Sequence, residues 1–486
     1  MNLNKLAKVS IVIFTTLAGV FSGYSQTETP PAPAPPKGVS VPAVREKELA
    51  NGLTVAVVPR TNVPLVTVQL LIKSGAASEP ADKAGQANLT ADMLTKGTKT
   101  RTATQIAEDM EFLGGSINSG AGWNSSFVSV TITPDKLDRA MAILADVVLN
   151  PAFKQEELDL LKSQTLDELK YNLKQPSFIA NYVASKYSFG EHPASGTPDT
   201  IASITRQEIV DFHTAQYTPT NAVLIFAGDF DLARASEQAQ KVFGAWPAPR
   251  PHGIGTGSNL PEPYTGPPVR RILVVDLPNS GQAAVTYDKQ ILWIGRSDKE
   301  FYPATVMNSV LGGGYSSRLN YEIRIKRGLS YGAGSGNTWR DHRVNFSARA
   351  QTKNISAAEV AELTLAEIKT LSDATISSDE LVPRKSTLTG NFGRNLETTS
   401  GLAAAIGDLY SFGIPANELN SYVSSVNAVT NSQIRDFASK YLLGGDLVIV
   451  GDYSVFKDDL AKRFPNMKID VIKADDLDLS KPNLRK

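Results

Sequence analysis

The stretch Thr205-Arg-Gln-Glu-Ile-Val-Asp-Phe212 leads to Tyr217, then to the apolar run Ala222-Val-Leu-Ile-Phe-Ala227 and to Gly228-Asp229-Phe230. The same order returns as Thr430-Asn-Ser-Gln-Ile-Arg-Asp-Phe437, Tyr441, Leu447-Val-Ile-Val450 and Gly451-Asp452-Tyr453. Thr430 follows Thr205 by 225 positions, and Gly451 follows Gly228 by 223. Glu157-Leu158 with Lys162 recurs 223 positions later as Glu380-Leu381 with Lys385. An offset held across separated matches marks an internal duplication, so the chain reads as two homologous domains of similar size. The Pro- and Gly-rich stretch 247–268 reads as the linker between them, with domains over 40–246 and 269–486. Phe212 and Phe437 are expected in the two cores.

Working outward, 53–58 and 66–72 alternate or run apolar as strands do. Residues 104–113 place Ile106, Met110 and Leu113 on one helical face and stop at Gly114. A strand over 127–133 and a helix from Asp135 follow, the helix carrying Leu137, Met141, Leu144 and Val148 on one face. Helices with Leu158, Leu161 and Leu166, then over 179–187, complete the first copy. The second copy shows strands near 271–275, 282–287 and 344–352, with helices over 302–311 and 355–371. Adjacent strand pairs mixed with helices predict an α+β fold, each domain a largely antiparallel sheet with helices packed on one face.

The chain has 486 residues, 42% hydrophobic and 20% charged, enough length for more than one core. Its 49 basic residues balance 49 acidic ones, which gives no signal for a nucleic-acid partner or an anionic membrane surface. The absence of cysteine excludes disulfides, thiol catalysis, Cys-ligated zinc and a lipid anchor on Cys. At the N-terminus Lys5 and Lys8 precede the apolar run Val9 to Phe21 and the small residues Gly23 and Ser25. This predicts a secretory signal peptide over 1–25 and an exported, periplasmic protein. The run is too short to span a bilayer comfortably, and no later segment approaches a membrane span. Residues 26–39, rich in proline, read as an extended linker, so the folded part is expected to begin near Ser40.

Chemistry concentrates in Leu311-Gly-Gly-Gly-Tyr-Ser-Ser-Arg-Leu-Asn-Tyr-Glu-Ile-Arg-Ile-Lys-Arg-Gly-Leu-Ser-Tyr331. A glycine-rich loop enters a charged helix, which breaks at Gly328 before Tyr331, a residue expected to be buried. Gly312-Gly313-Gly314 lacks the Gly-Lys-Ser/Thr of a phosphate loop. Of the four histidines, His192, His213, His252 and His342, no two are spaced to share a helix face. Asp211-Phe-His213 is the nearest approach to a ligand pair, and each histidine reads as a surface or packing residue. No Gly-x-Ser-x-Gly nucleophile elbow is present.

The segment 311–331 resembles the C-terminal half of the pitrilysin/insulinase family of zinc peptidases, and the resemblance extends over both domains. It implies a zinc motif, His-x-x-Glu-His, on a helix of the first domain. Two His one turn apart share a face and one Zn²⁺. The Glu activates the metal-bound water, and a later Glu is the third ligand. The matching stretch here is Gly85-Gln-Ala-Asn88-Leu-Thr-Ala91-Asp92-Met93-Leu94-Thr-Lys96-Gly97-Thr98. Its flanks fit, as does Leu113-Gly-Gly-Ser-Ile-Asn118 downstream. Asn88 and Asp92 stand at the two His positions and Ala91 at the general base. Alanine takes no proton, and Asn and Asp are poor zinc ligands beside imidazole. Glu168 matches the later Glu and reads as a solvated helix residue. A hard-cation site from Asn88, Asp92 and Glu168 is the minor alternative. No metal or other cofactor is assigned to this chain.

The resemblance also carries a substrate-binding Arg and Tyr onto Arg324 and Tyr331, which in the family hold the peptide and stabilise the oxyanion. Arg327 is a second basic candidate, and Gly312, Gly313 and Gly314 permit close backbone approach to a bound strand. Substrate could also add as a strand to an exposed sheet edge. Taken singly, a solvated Arg324 and a core Tyr331 are the plainer readings. Together with the flanks, the resemblance implies the Arg/Tyr subunit of a heterodimeric zinc metallopeptidase. Its partner is then a homologous subunit carrying His-x-x-Glu-His and the zinc, and its substrate a peptide. The alternatives are a catalytically inactive peptide-binding or assembly scaffold and, last, an independent peptidase with unusual ligands.

Overall fold

A computed structural model describes residues 40–248, 269–373, 375–481 and 483–486. The expected signal peptide, the linker 26–39, His252 and nearly all of the linker 247–268 lie outside the described residues.

Six strands build the first sheet: β1 (Arg45–Glu48), β2 (Thr54–Pro59), β3 (Val66–Ile72), β4 (Ile117–Ala121), β5 (Ser126–Ile132) and β6 (Ala222–Gly228). The second sheet is built from β7 (Val269–Asp276), β8 (Ala283–Leu292), β9 (Ser330–Arg340), β10 (Arg343–Thr352), β11 (Gly445–Gly451) and β12 (Ile469–Lys473). Their orders are β1-β2-β6-β3-β5-β4 and β12-β7-β11-β8-β10-β9. Pairing is antiparallel except where β2 meets β6 and where β7 meets β11 and β12. The expected α+β architecture of two tandem, largely antiparallel domains is therefore what forms. β2 to β6 recur as β7 to β11 in the same slots. Only the outermost slot differs, filled by a strand that opens the first half and by one that closes the second.

The strand alternation read from sequence sorts side chains between two layers. In β2, Val55 and Val57 join the core beneath the first half's own helices, together with Val68, Leu70, Leu224, Phe226, Met141 and Phe212. Met141 comes from the helix Leu137–Leu149, whose buried face also includes Leu137, Leu144 and Val148. The helix Ala357–Asp373 does the same in the second half, with Phe437 in that core.

The opposite face of each sheet is also apolar, and a helix of the other half covers it. Leu402, Ala403, Ile406 and Leu409 of the helix Thr399–Ser411 pack on Ala56, Val58, Leu71, Val223, Ile225 and Ala227. Ile179, Ala180, Tyr182 and Val183 of the helix Pro176–Tyr187 pack on Leu273, Val275, Ala284, Val448 and Val450. Polar contacts fix both crossings. Arg60 Nη1 donates to Leu396 O at 2.6 Å, and the Thr67 and Thr399 hydroxyls lie 2.8 Å apart. Arg271 Nη2 donates to Tyr187 O at 2.5 Å, with its guanidinium 4.0 Å above the Tyr187 ring. β6 and β11 are buried along their whole length because both of their faces are covered.

Two predictions follow from this packing. Ile406→Ala should cost about 2–5 kcal/mol, the usual range for emptying a buried aliphatic site. Because Ile406 packs on the first sheet, limited proteolysis should open residues 40–246 as readily as the second half. The second prediction concerns His213, which is mostly enclosed, with Nε2 2.9 Å from Val148 O and its ring stacked on Tyr217 at 4.8 Å. Burial lowers its pKa to about 4, against an opposing pull from the Val148 carbonyl. The unfolded chain binds this proton near pH 6.5 and the folded one does not. Stability is thus fully present above that pH and declines as pH falls toward about 4, by an amount on the order of 3 kcal/mol. Urea unfolding between pH 7 and 4 should show this slope, and His213→Gln should flatten it.

Candidate functional site

The stretch aligned with the zinc motif forms the helix Gln86–Met93. A buried carboxylate caps its N-terminus: Glu79 accepts from Gly85 N at 2.8 Å and from Ala87 N at 2.6 Å. Negative charge at the positive end of a helix is stabilising. His192 Nε2 lies 3.1 Å from the same carboxylate, and its ring packs on Trp123. Asn88 and Asp92, one turn apart, are both partly buried, and Ala91 is fully buried. Asn88 Nδ2 donates to Ala194 O at 2.7 Å, so its carboxamide is tied to the 188–196 segment. Burial pushes the Asp92 carboxyl above the usual range, with Lys96 pulling it back in part. Glu168 is exposed on the helix Gln155–Asn172. Among the described residues, no group of three or more His, Cys, Asp or Glu side chains is placed to share a metal ion. The donor set at 88, 91, 92 and 168 therefore does not fit zinc: it holds no imidazole, and its first member already serves the backbone.

In the second half, the helix Phe301–Leu311 ends at the glycine triplet. None of the three glycines has a positive φ. Gly312 is demanded by a close approach, because a Cβ there would fall 2.1 Å from Ser335 N, and Gly312 O accepts from that amide at 3.1 Å. The strand that approaches is β9 of the same chain. Around Gly314 a Cβ would meet nothing within 4 Å, so packing does not explain that glycine.

The charged segment that follows is a π-helix, Asn320–Lys326, whose run ends near Gly328 at φ +64°. Wide turns of this kind recur at functional sites. Arg324 projects from it with its guanidinium 5.1 Å from the Tyr315 ring centroid, and among the described residues it forms no ion pair. Arg327 is committed elsewhere, to Glu322 at 2.8 Å and Glu359 at 3.9 Å. Tyr331 is the second residue of β9 and is 90% exposed, not buried as the sequence suggested. β9 is an edge strand, so no inner strand pins Tyr331 into a core. Tyr315, Tyr321 and Ile325 are exposed beside Arg324 on the same segment.

Sequence reasoning did not find the free sheet edges. They are β1 and β4 in the first half and β12 and β9 in the second, and the pair that bears on the site is β4 and β9. The two edges come together at one end: Asn124 Nδ2 donates to Trp339 O at 3.3 Å, and the Arg340 guanidinium lies 4.8 Å from the Trp123 ring centroid. Arg340 and Arg343 both pair with the buried Glu191. Glu79, Glu191 and His192 thus bind the helix Gln86–Met93 and the second sheet to a single loop. The only sequence signal for this was a lone histidine read as packing.

The chain is similar to known proteins over most of its length. Residues 54–192 match the family described as Insulinase (Peptidase family M16), and residues 203–388 match the Peptidase M16 inactive domain. A protein of Rickettsia felis named as an uncharacterized zinc protease is 28% identical over 415 residues, covering 81% of this chain and 94% of its own length. The Bacillus subtilis uncharacterized zinc protease YmxG is 25% identical over 392 residues, covering 80% and 93%. Among solved structures, a peptidase M16 inactive domain from Pseudomonas fluorescens superposes with a TM-score of 0.74 at 25% identity, over 84% of this chain and 98% of that one. A protease from Helicobacter pylori shares the fold, with a TM-score of 0.78 at 22% identity over 85% and 100%.

The donor chemistry at 88, 91, 92 and 168 predicts that the purified chain, loaded with Zn²⁺ and then gel-filtered, retains far less than one zinc per molecule by elemental analysis. Stoichiometric retention would mean that these residues rearrange into a site.

Proposed function

The chain belongs to peptidase family M16, the insulinase family, and we propose that it acts as the non-zinc subunit of a two-chain zinc metallopeptidase, contributing peptide binding and oxyanion stabilisation. One observation carries this reading. Arg324 has no ion-pair partner among the described residues and Tyr331 is 90% exposed, while the zinc positions hold Asn88, Ala91 and Asp92. A guanidinium and a phenol left free on a π-helix and an edge strand supply donors for a carbonyl oxygen that gains negative charge. The exposed Tyr315, Tyr321 and Ile325 around them give an apolar surface suited to burial against a second subunit.

The zinc and the water it activates would be supplied by a homologous partner carrying His-x-x-Glu-His. This chain's own residues do the remaining work. Tyr331 and Arg324 donate to the scissile carbonyl as it becomes tetrahedral, and the free edge of β9 offers main-chain pairing to an extended peptide. No helix among the described residues is long and apolar enough to cross a membrane. The Lys5 and Lys8 charges and the apolar run after them support export to the periplasm, where such a pair would meet exogenous or secreted peptides.

The test is reconstitution with a His-x-x-Glu-His subunit and Zn²⁺, read by cleavage of a quenched fluorescent peptide. Arg324→Ala and Tyr331→Phe should each lower kcat by about 10²–10³-fold, the usual loss for one oxyanion donor, with melting temperature unchanged. Turnover unaffected by both substitutions would defeat the shared-site reading. Peptide binding that never leads to cleavage, with any such partner, would favour the scaffold.

A further inference from the structure

A cavity of about 260 Å³ lies between the helix Pro176–Tyr187 and the second sheet, apart from Arg324 and Tyr331. Ser177 and Asn181 line it from the helix, Thr286 from β8, and Arg349 and Gln351 from β10. In the register Arg349 stands opposite Thr286 on one side and Gly334 of β9 on the other. Directly opposed residues share a sheet face, so the missing side chain at 334 leaves room beside the guanidinium.

Arg349 is the one ionisable residue lining this cavity. Among the described residues it makes no ion pair and no hydrogen bond through its side chain, whereas Arg271, Arg318, Arg327, Arg340 and Arg343 are all paired. Burial raises the pKa of Asp288 and the Arg349 charge helps hold it down, but the two form no ion pair: that carboxylate is buried and accepts from Thr286 Oγ1 at 2.7 Å and Ser347 Oγ at 2.5 Å. The hydroxyl of Ser177 and the carboxamide of Gln351 are likewise uncommitted among the described residues, and Asn181 donates only to Ser177 O on its own helix. Arg349, Gln351, Ser177 and Asn181 are exposed around an open cleft, and a planar guanidinium without an ion-pair partner, flanked there by free hydroxyl and amide donors, is suited to a carboxylate, which it can hold with two parallel hydrogen bonds.

We propose that this cavity binds a carboxylate of the peptide held along the second sheet, from an acidic side chain or from the peptide C-terminus. The inference rests on the peptide-binding reading above and adds a charge preference to it. Gly332, which also lines the cavity, follows Tyr331 directly in β9. The pairing of β9 with β10 is bulged here, Ala333 standing opposite Ala350 and Ser330 opposite Thr352, so Tyr331 and Gly332 together stand against Gln351 and a carboxylate seated here anchors the peptide beside Tyr331.

The experiment is fluorescence anisotropy on the full chain with four labelled peptides of equal length. They carry Glu or Gln at one internal position and a free or amidated C-terminus. A carboxylate-bearing peptide should bind about tenfold tighter than the Gln amide, the expected worth of a hydrogen-bonded charge. Arg349→Gln should erase that preference while leaving the Gln amide's affinity unchanged. The two arms identify which carboxylate is read. Equal affinity for all four peptides, or a preference that survives in Arg349→Gln, overturns the inference and leaves peptide binding standing. Failure of all four to bind overturns both.

Discussion

The mutual covering of the two sheets is the constraint on which the rest of the molecule depends. Each sheet presents a second apolar face that its own half leaves bare. Ala56, Val58, Leu71, Val223, Ile225 and Ala227 would form a continuous exposed patch without the helix Thr399–Ser411, which begins 171 positions after β6 ends at Gly228. The helix Pro176–Tyr187 repays the contact on the second sheet. Each fully buried Leu, Ile or Val contributes roughly 1.5–3 kcal/mol, so separating the halves would expose several such terms on both sides at once. The duplication therefore produced an interlocked pair and not two independent domains on a string.

That interlock also positions the functional surfaces. With both sheets clamped, the free edges β4 and β9 are held where Asn124 meets Trp339 and Arg340 lies over Trp123. The 188–196 segment reinforces this arrangement. It hands Phe189 O to Gln290, Glu191 to Arg340 and Arg343, His192 to Glu79, and Ala194 O to Asn88. One loop thereby joins the helix Gln86–Met93 to the sheet that carries Tyr331. The helix itself does not depend on metal for its placement, since Glu79 accepts from the amides of Gly85 and Ala87 and Ala91 is fully buried.

The sequence showed most clearly what periodic apolar patterning encodes. The repeat, β3, β6, β11, and the helices starting near 103, 137 and 301 were all visible because one face of each is apolar at a regular spacing. β9 was missed because Ser330–Arg340 is a glycine-rich edge strand with no alternating apolar face to announce it. β1, exposed at all four residues and charged throughout, was hidden for the same reason. The reciprocal crossing was also illegible, although the unbroken apolar runs of β6 and β11 carried the hint that both faces are covered. Tyr331 was expected inside because it follows a helix stop beside apolar residues. Whether a tyrosine near a strand start is inside depends on what pairs beyond it, and among the described residues no strand pairs beyond β9.

The arginines of the second half separate structural from functional demand. Arg318 holds Glu380 with two hydrogen bonds at 2.7 and 2.8 Å, pinning the π-helix region to the helix Ser378–Asn395. Arg327 closes on Glu322 within the same turn of chain. These pairs explain their own presence. Arg324 and Tyr331 have no such explanation, since one rests on an exposed ring and the other is bare to solvent. Exposed side chains of this kind add little to stability, and surface substitutions away from specific contacts usually change it by no more than about 0.5 kcal/mol. The fold would stand without either residue, and so it offers no reason for them. In the reading proposed above the reason is a bound peptide, and the residues Asn88, Ala91 and Asp92 in the same chain are why that reading assigns the remaining chemistry to a second subunit.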